Sequence, residues 1–163
     1  MTRTKEWWDN WFLQLAAFYS TASKDPSTKV GAVLVESRTN LVLGLGYNGF
    51  PRGVQDTQER LENRELKYKL VVHAEVNAIL MAGNRARGGR LYVYPSFMLP
   101  PICNECCKVA IQAGISEIVG FMVDEQDARA LRWKDSILIS RMMCDEAGIA
   151  YRGIPLQEIG HGG

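Results

Sequence analysis

The chain has 163 residues, 47% of them hydrophobic, and a formal net charge of +1. That length and apolar fraction suit one domain with a sizeable core, and the near-balanced charge argues against a long nucleic-acid backbone as partner. No apolar run approaches the ~20 residues that span a bilayer, and the start, with Arg3, Lys5 and Glu6 among three Trp, lacks the apolar stretch of a secretory leader. A cytoplasmic protein without membrane contact is expected.

Residues 5–22 carry Trp8, Phe12, Leu15, Ala16 and Tyr19 at helical spacing, and Asp25-Pro26 ends that helix. Val30–Val35 and Leu41–Gly46 are β-rich runs joined by the polar Glu36–Asn40 turn, which predicts a hairpin. Residues 50–70 show neither period and are read as a surface loop with a short helix, the charge-rich Glu59–Lys69 stretch being a solvated face. A helix follows from His73 to about Ala82, stopped by Gly83, then a strand at Leu91–Tyr94 and a rigid loop at Pro95–Pro101. Asn104–Ala113 is a helix capped by Gly114, Ser116–Met122 a strand, about Gln126–Ala147 a long helix ended by Gly148, and Ile149–Arg152 a last strand.

The order α-ββ-α-β-α-β-α-β predicts an α/β fold, a three-layer α/β/α sandwich on a five-stranded mixed sheet, largely parallel with an antiparallel first hairpin. Without an internal repeat or linker, residues 1–163 are read as one domain with a frayed tail from about 158. Leu131, Ile137, Leu138, Met142 and Met143 are expected in the core. Trp7, Trp8 and Trp11 are an aromatic surplus that suggests helix packing and a contact between copies of the chain.

Chemistry concentrates in His73-Ala74-Glu75 and, 28 positions after the Glu, Cys103-Asn104-Glu105-Cys106. One His and two Cys give three ligands for zinc and leave a fourth tetrahedral position for a water, whose pKa the metal brings near neutrality. Glu75, two residues from a ligand, cannot easily reach the same metal and is placed to shuttle protons. A structural zinc is the competing reading, but it needs a fourth protein ligand. His161 lies in a Gly-rich tail, Cys144 is far along the chain, and Cys107 adjoins a ligand and points elsewhere on a helix. Cys107 and Cys144 are read as buried thiols in a reducing compartment. Both half-motifs open helices, whose N-termini favour thiolates.

H-x-E followed by P-C-x-x-C is the zinc nucleobase-deaminase pattern, and the chain departs from it only by Ile102 between Pro101 and Cys103. Ser23–Val33, the Gly46-Tyr47-Asn48-Gly49-Phe50-Pro51 segment and His73–Ala78 together resemble the deoxycytidylate deaminase branch of the cytidine deaminase superfamily, over about Trp11 to Gly153. The resemblance implies zinc on His73, Cys103 and Cys106, one ion per chain, with Glu75 as proton shuttle. It places Asn48 at the sugar of a nucleotide and Ala74 at the substrate. Gly46, Tyr47 and Gly49 match a motif that in regulated members serves an allosteric nucleotide at a subunit contact, so control by dCTP and dTTP stays open. A second zinc is not expected, since no Cys or His lies between Asn48 and His73. Lys24 and Lys29 are candidates for a substrate phosphate, against the common reading of lysines as solvated surface.

The expected activity is zinc-dependent hydrolytic deamination of dCMP to dUMP and ammonia, which supplies dUMP for thymidylate synthesis, by a homo-oligomer, with a hexamer favoured by the resemblance. The alternatives are another small cytosine nucleotide or base, such as 5-substituted dCMP, dCTP or cytidine, and a noncatalytic zinc-stabilised regulatory module. Editing of nucleic-acid strands is disfavoured by the near-zero net charge.

Overall fold

The computed structural model describes residues 2–123 and 126–155, so the tail expected to fray from about 158 lies outside them. Helix α1 (Lys5–Ser20) starts where the Thr4 side chain accepts from the Trp7 amide, which satisfies one of the free donors of the first turn. Strands β1 (Gly31–Val35) and β2 (Val42–Tyr47) form the expected hairpin. Next come α2 (Gln58–Glu62), α3 (Arg64–Leu70), α4 (Ala74–Ala82), β3 (Arg90–Tyr94), α5 (Asn104–Ala113), β4 (Glu117–Phe121), α6 (Ala128–Ala147) and β5 (Ala150–Ile154). Gly114 and Gly148 end α5 and α6 at φ 77° and 71°, a conformation that glycine adopts without a Cβ penalty.

The strands lie in the order β2-β1-β3-β4-β5. β1 is antiparallel to both β2 and β3, whereas β3–β4 and β4–β5 are parallel. β2, β3, β4 and β5 therefore run one way and β1 alone runs against them. The sheet is mixed and five-stranded, as expected, with the hairpin inserting its first strand between two parallel neighbours.

Alternation along the strands divides the core. Ala32, Leu34, Leu91, Val93 and Ile118 face α4 and α5, and Val33, Val35, Tyr92, Val119 and Phe121 face Phe12, Leu13 and Ala16 of α1. Helix α4 lies so close to β2 that a Cβ at Gly44 or Gly46 would overlap the carbonyl oxygens of Ala78 and Ala74. Beneath α1, the buried Asp9 accepts from the Tyr92 hydroxyl at 2.6 Å and pairs with Arg152 at 2.7 Å, and Glu117 pairs with Arg90 and Arg152 at 2.6 Å each.

Three details differ from the sequence reading. Residues 50–70 hold two short helices instead of one; Thr57 caps the first, and Asn63 ends it and caps the second. Each is under two turns, too short for a hydrophobic period, so only the cap residues mark them. Within the charged stretch Lys67 is buried, not solvated. On α6 the inward stripe is Ala130, Ile137, Ser140 and Cys144. Those mostly small residues let α6 approach α5, and they leave Leu131, Leu138 and Met142 at 59%, 41% and 52% exposure rather than in the core. Ile137 is buried and Met143 packs against the main cluster. Trp7, Trp8 and Trp11 are half-buried and pack on one another and on Phe12, the helix packing expected of them.

Candidate active site and metal centre

Two helix starts converge at one end of the sheet. His73 is the N-cap of α4 and Cys103 the N-cap of α5, with Cys106 one turn in. The Cys103 and Cys106 sulfurs lie 3.4 and 3.2 Å from His73 Nδ1, and the three ligand atoms fall within 4.8 Å of one another. Ligands on a tetrahedral zinc at 2.0–2.3 Å stand about 3.5 Å apart, so the cluster suits one zinc ion per chain. Among the described residues no other group of three His, Cys, Asp or Glu side chains is arranged for a metal. Cys107 is turned away, its sulfur 3.6 Å from that of Cys144. A closed structural site would need a fourth ligand, and none of the described side chains joins the three. His161 lies outside the described residues.

The three side chains of the cluster share protons closely. Contact with the Cys103 sulfur raises His73 to about 9. Hydrogen bonding with Cys106 takes Cys103 down to about 4, while Cys106 rises, because one proton stays on the pair. Metal binding releases such protons. Glu75, 5% exposed, is pushed up to about 7 by burial; the Cys103 sulfur adds to the rise and His73 opposes it. A carboxyl poised near neutrality can both take and return a proton.

A cavity opens over the cluster, lined by His73, Ala74, Glu75 and Cys103, by Val30 and Asn48, and by Phe97, Ile102, Trp133 and Ile137. Ile102, the residue added to the motif, is 2% exposed and packs into the core cluster behind the cavity. Gly49 exchanges both backbone hydrogen bonds with Val72, at 3.1 and 2.8 Å, which ties the segment of Asn48 to the residue before His73. Asn48 itself holds the wall: Oδ1 accepts from the Val30 amide at 2.8 Å and Nδ2 donates to the Thr28 carbonyl at 2.9 Å.

Lys24 and Lys29 do not line this cavity. Lys24 pairs with Asp56 at 2.7 Å, and Lys29 donates to the Ser23 carbonyl at 2.6 Å. The lysine in the wall is Lys67, which lies 2.9 Å from Asp25 with both side chains buried. Asp25 in turn accepts from the Ser27 and Thr28 amides. A second cavity, lined by Lys24, Tyr47, Gly49, Phe50 and Asp56, shares Asp25, Asn48, Lys67 and Val71 with the first. Gly46 lies under α4. Sequence reasoning missed Lys67, Arg132 and Trp133, because nothing local marks residues that reach the cavity through tertiary packing. For Arg132 and Trp133 the available signal was their place in the first turns of a helix following a parallel strand, where α/β sites gather.

The family model of the cytidine and deoxycytidylate deaminase zinc-binding region matches residues 6–122. A deoxycytidylate deaminase of Pongo abelii is 38% identical over 151 residues, covering 89% of this chain and 78% of the relative. A deaminase of Aliivibrio fischeri is 35% identical over 151 residues, covering 91% and 95%. Among solved structures, the dCMP deaminase of the cyanophage S-TIM5 in complex with dCMP and dUMP has a similar fold, with a TM-score of 0.67 at 22% identity, covering 94% of this chain and all of that one. The chain belongs to the cytidine and deoxycytidylate deaminase family defined by that zinc-binding region.

Proposed function

We propose that the protein deaminates dCMP hydrolytically, releasing dUMP and ammonia and so supplying dUMP for thymidylate synthesis. The observation that carries the reading is the buried Glu75 carboxyl beside the cluster of His73, Cys103 and Cys106, supported by deoxycytidylate deaminases at 36–38% identity over 89% of the chain. Those three residues would hold a zinc ion, which would supply an activated water for attack at carbon 4 of cytosine. Glu75 takes one proton of the water and passes it to ring nitrogen 3, then takes the second and passes it to the departing amine. Ala74 and Asn48 stand in the wall where base and sugar would lie, and the largely apolar remainder of the lining excludes bulk water. The balance is dCMP plus water to dUMP plus ammonia.

The finer parts of this reading are a homo-oligomer, with a hexamer favoured by the resemblance, and effector control by dCTP or dTTP. The second cavity supports the latter: Tyr47 and Gly49 line it, and its wall is shared with the site. A cytoplasmic location suits four free cysteines, and no described helix is long and apolar enough to cross a membrane.

The test is ammonia release from dCMP, cytidine and dCTP by the zinc-loaded protein, with and without added dCTP or dTTP. Preferential turnover of dCMP is expected. A protein that holds zinc and releases ammonia from no cytosine nucleotide would be a noncatalytic module instead.

A further inference from the structure

The cavity wall contains three basic side chains, His73, Lys67 and Arg132. Two are already engaged, His73 by the cysteine sulfurs and Lys67 by Asp25. Arg132 is exposed and makes no hydrogen bond or ion pair among the described residues. Its helix is fixed against the metal-binding helix one turn further on: the Ser136 hydroxyl accepts from the Asn104 amide at 3.0 Å and donates to Asn104 Oδ1 at 2.7 Å. Residues four apart share a helix face, so Arg132 and Ser136 fall on one stripe, and Trp133 and Ile137 beside them line the same cavity. Trp133 is braced by Met98, Ala130 and Phe97.

The acidic groups of the wall leave the guanidinium free for a ligand. Asp25 is paired with Lys67, and Glu75 is buried at the metal end. We propose that Arg132 is the residue by which this site selects a nucleoside monophosphate over the nucleoside, its guanidinium taking the 5′-phosphate at the mouth of the cavity. The assignment rests on the reading of the cavity as the site of dCMP deamination. A guanidinium presents paired N–H donors that match two phosphate oxygens, and it stays charged at every working pH. Because the phosphate is remote from carbon 4, the contact is equal in the ground and transition states, so its loss appears in KM and not in kcat.

The experiment compares the zinc-loaded wild type with Arg132→Met and Arg132→Lys on dCMP and deoxycytidine. Binding of dUMP and deoxyuridine is measured in parallel by calorimetry. For Arg132→Met, KM for dCMP should rise roughly 10- to 100-fold, the range for loss of a hydrogen-bonded charge contact. The kcat/KM preference for dCMP over deoxycytidine should fall by the same factor, dUMP should lose its advantage over deoxyuridine, and Arg132→Lys should recover part of each. A wild type that prefers dCMP, with an Arg132→Met variant that keeps this preference and the dUMP affinity, overturns the assignment of Arg132 while leaving the activity standing. A wild type that turns over deoxycytidine as well as dCMP overturns the phosphate reading, and the assignment with it.

Discussion

The Asn48 carboxamide accepts from the Val30 amide at 2.8 Å and at the same time donates to the Thr28 carbonyl. One buried side chain thereby does for the chain entering β1 what a neighbouring strand would do, and it sets the wall that faces the metal cluster. Asn48→Ala leaves a donor and an acceptor without partners in a half-buried segment. Each such loss costs about 1–3 kcal/mol, so a destabilisation of about 2–4 kcal/mol is expected in urea melts, with a higher KM for dCMP. Asn48→Asp replaces the donor facing the Thr28 carbonyl with a second acceptor and should be no better tolerated than Ala.

Glu75→Gln should retain zinc, because the carboxyl is not among the ligand atoms, and should lose turnover by at least the 10²–10⁴-fold typical of a general acid/base. Metal analysis beside kinetics decides it, and near wild-type turnover would remove Glu75 from the mechanism. The raised pKa gives a second readout in the metal-free protein. Native Glu75 keeps its proton up to about 7, whereas an unfolded carboxyl near 4.5 has released it. Stability from this group therefore falls as pH rises from about 4.5 through about 7 and is flat above. Chelator-treated Glu75→Gln should be more stable than wild type by on the order of 1–3 kcal/mol at pH 8 and equal to it near pH 4. With zinc bound, the adjacent cation lowers the Glu75 pKa, so the acid limb of kcat/KM should lie below pH 7.

The parts of this molecule that can be read from the chain alone are those whose signal is local. Gly114 and Gly148 mark helix ends, Asn104–Ala113 has its helix boundaries where the residues put them, and the His73 and Cys103–Cys106 pair carries its spacing openly. What stayed hidden depends on partners distant in sequence. Lys67 looks like any lysine in a charged run until Asp25, 42 residues earlier, folds onto it. Leu131, Leu138 and Met142 have the composition of a core and face outward because Ala130, Ser140 and Cys144 are the residues small enough to let α6 approach α5. Composition does not say which of two apolar faces a helix buries.

Replacing Cys103 or Cys106 by Ser should cost both zinc and stability, since a ligand set absent from the unfolded chain makes metal binding part of folding. Cys107→Ser should leave zinc in place, because its sulfur is engaged with Cys144 and the Ser140 carbonyl on α6. Zinc content and thermal melting with and without chelator separate the cases. Loss of metal in Cys107→Ser with retention in Cys106→Ser would reverse the ligand assignment.

The Lys67–Asp25 pair is buried on both sides, 3% and 10% exposed. Lys67→Met leaves the Asp25 charge without its counterion, and breaking a buried pair in this way typically costs about 3–5 kcal/mol. The double replacement Lys67→Met with Asp25→Asn should recover part of the loss, because no uncompensated charge remains and Asn keeps an oxygen for the Ser27 and Thr28 amides. Denaturant midpoints for the two singles and the double give the coupling energy.

Assembly supplies the last test. Leu131, Leu138, Ile139 and Met142 form an exposed apolar band on α6, and Phe18, Leu80 and Met81 are 74%, 69% and 63% exposed on α1 and α4. Isolated apolar side chains on a surface need no explanation, but a band along one helix face is the kind of surface that copies of a chain bury between them. If copies of the chain associate as proposed, the contact should depend on these exposed side chains and not on Trp7, Trp8 and Trp11, which pack against one another. Sedimentation should give a mass several times the 18.3 kDa of the chain. Leu138→Glu with Met142→Glu should lower that mass, whereas Trp7→Ala should not. A wild type whose mass stays at that of one chain at every concentration would remove the oligomer from the account.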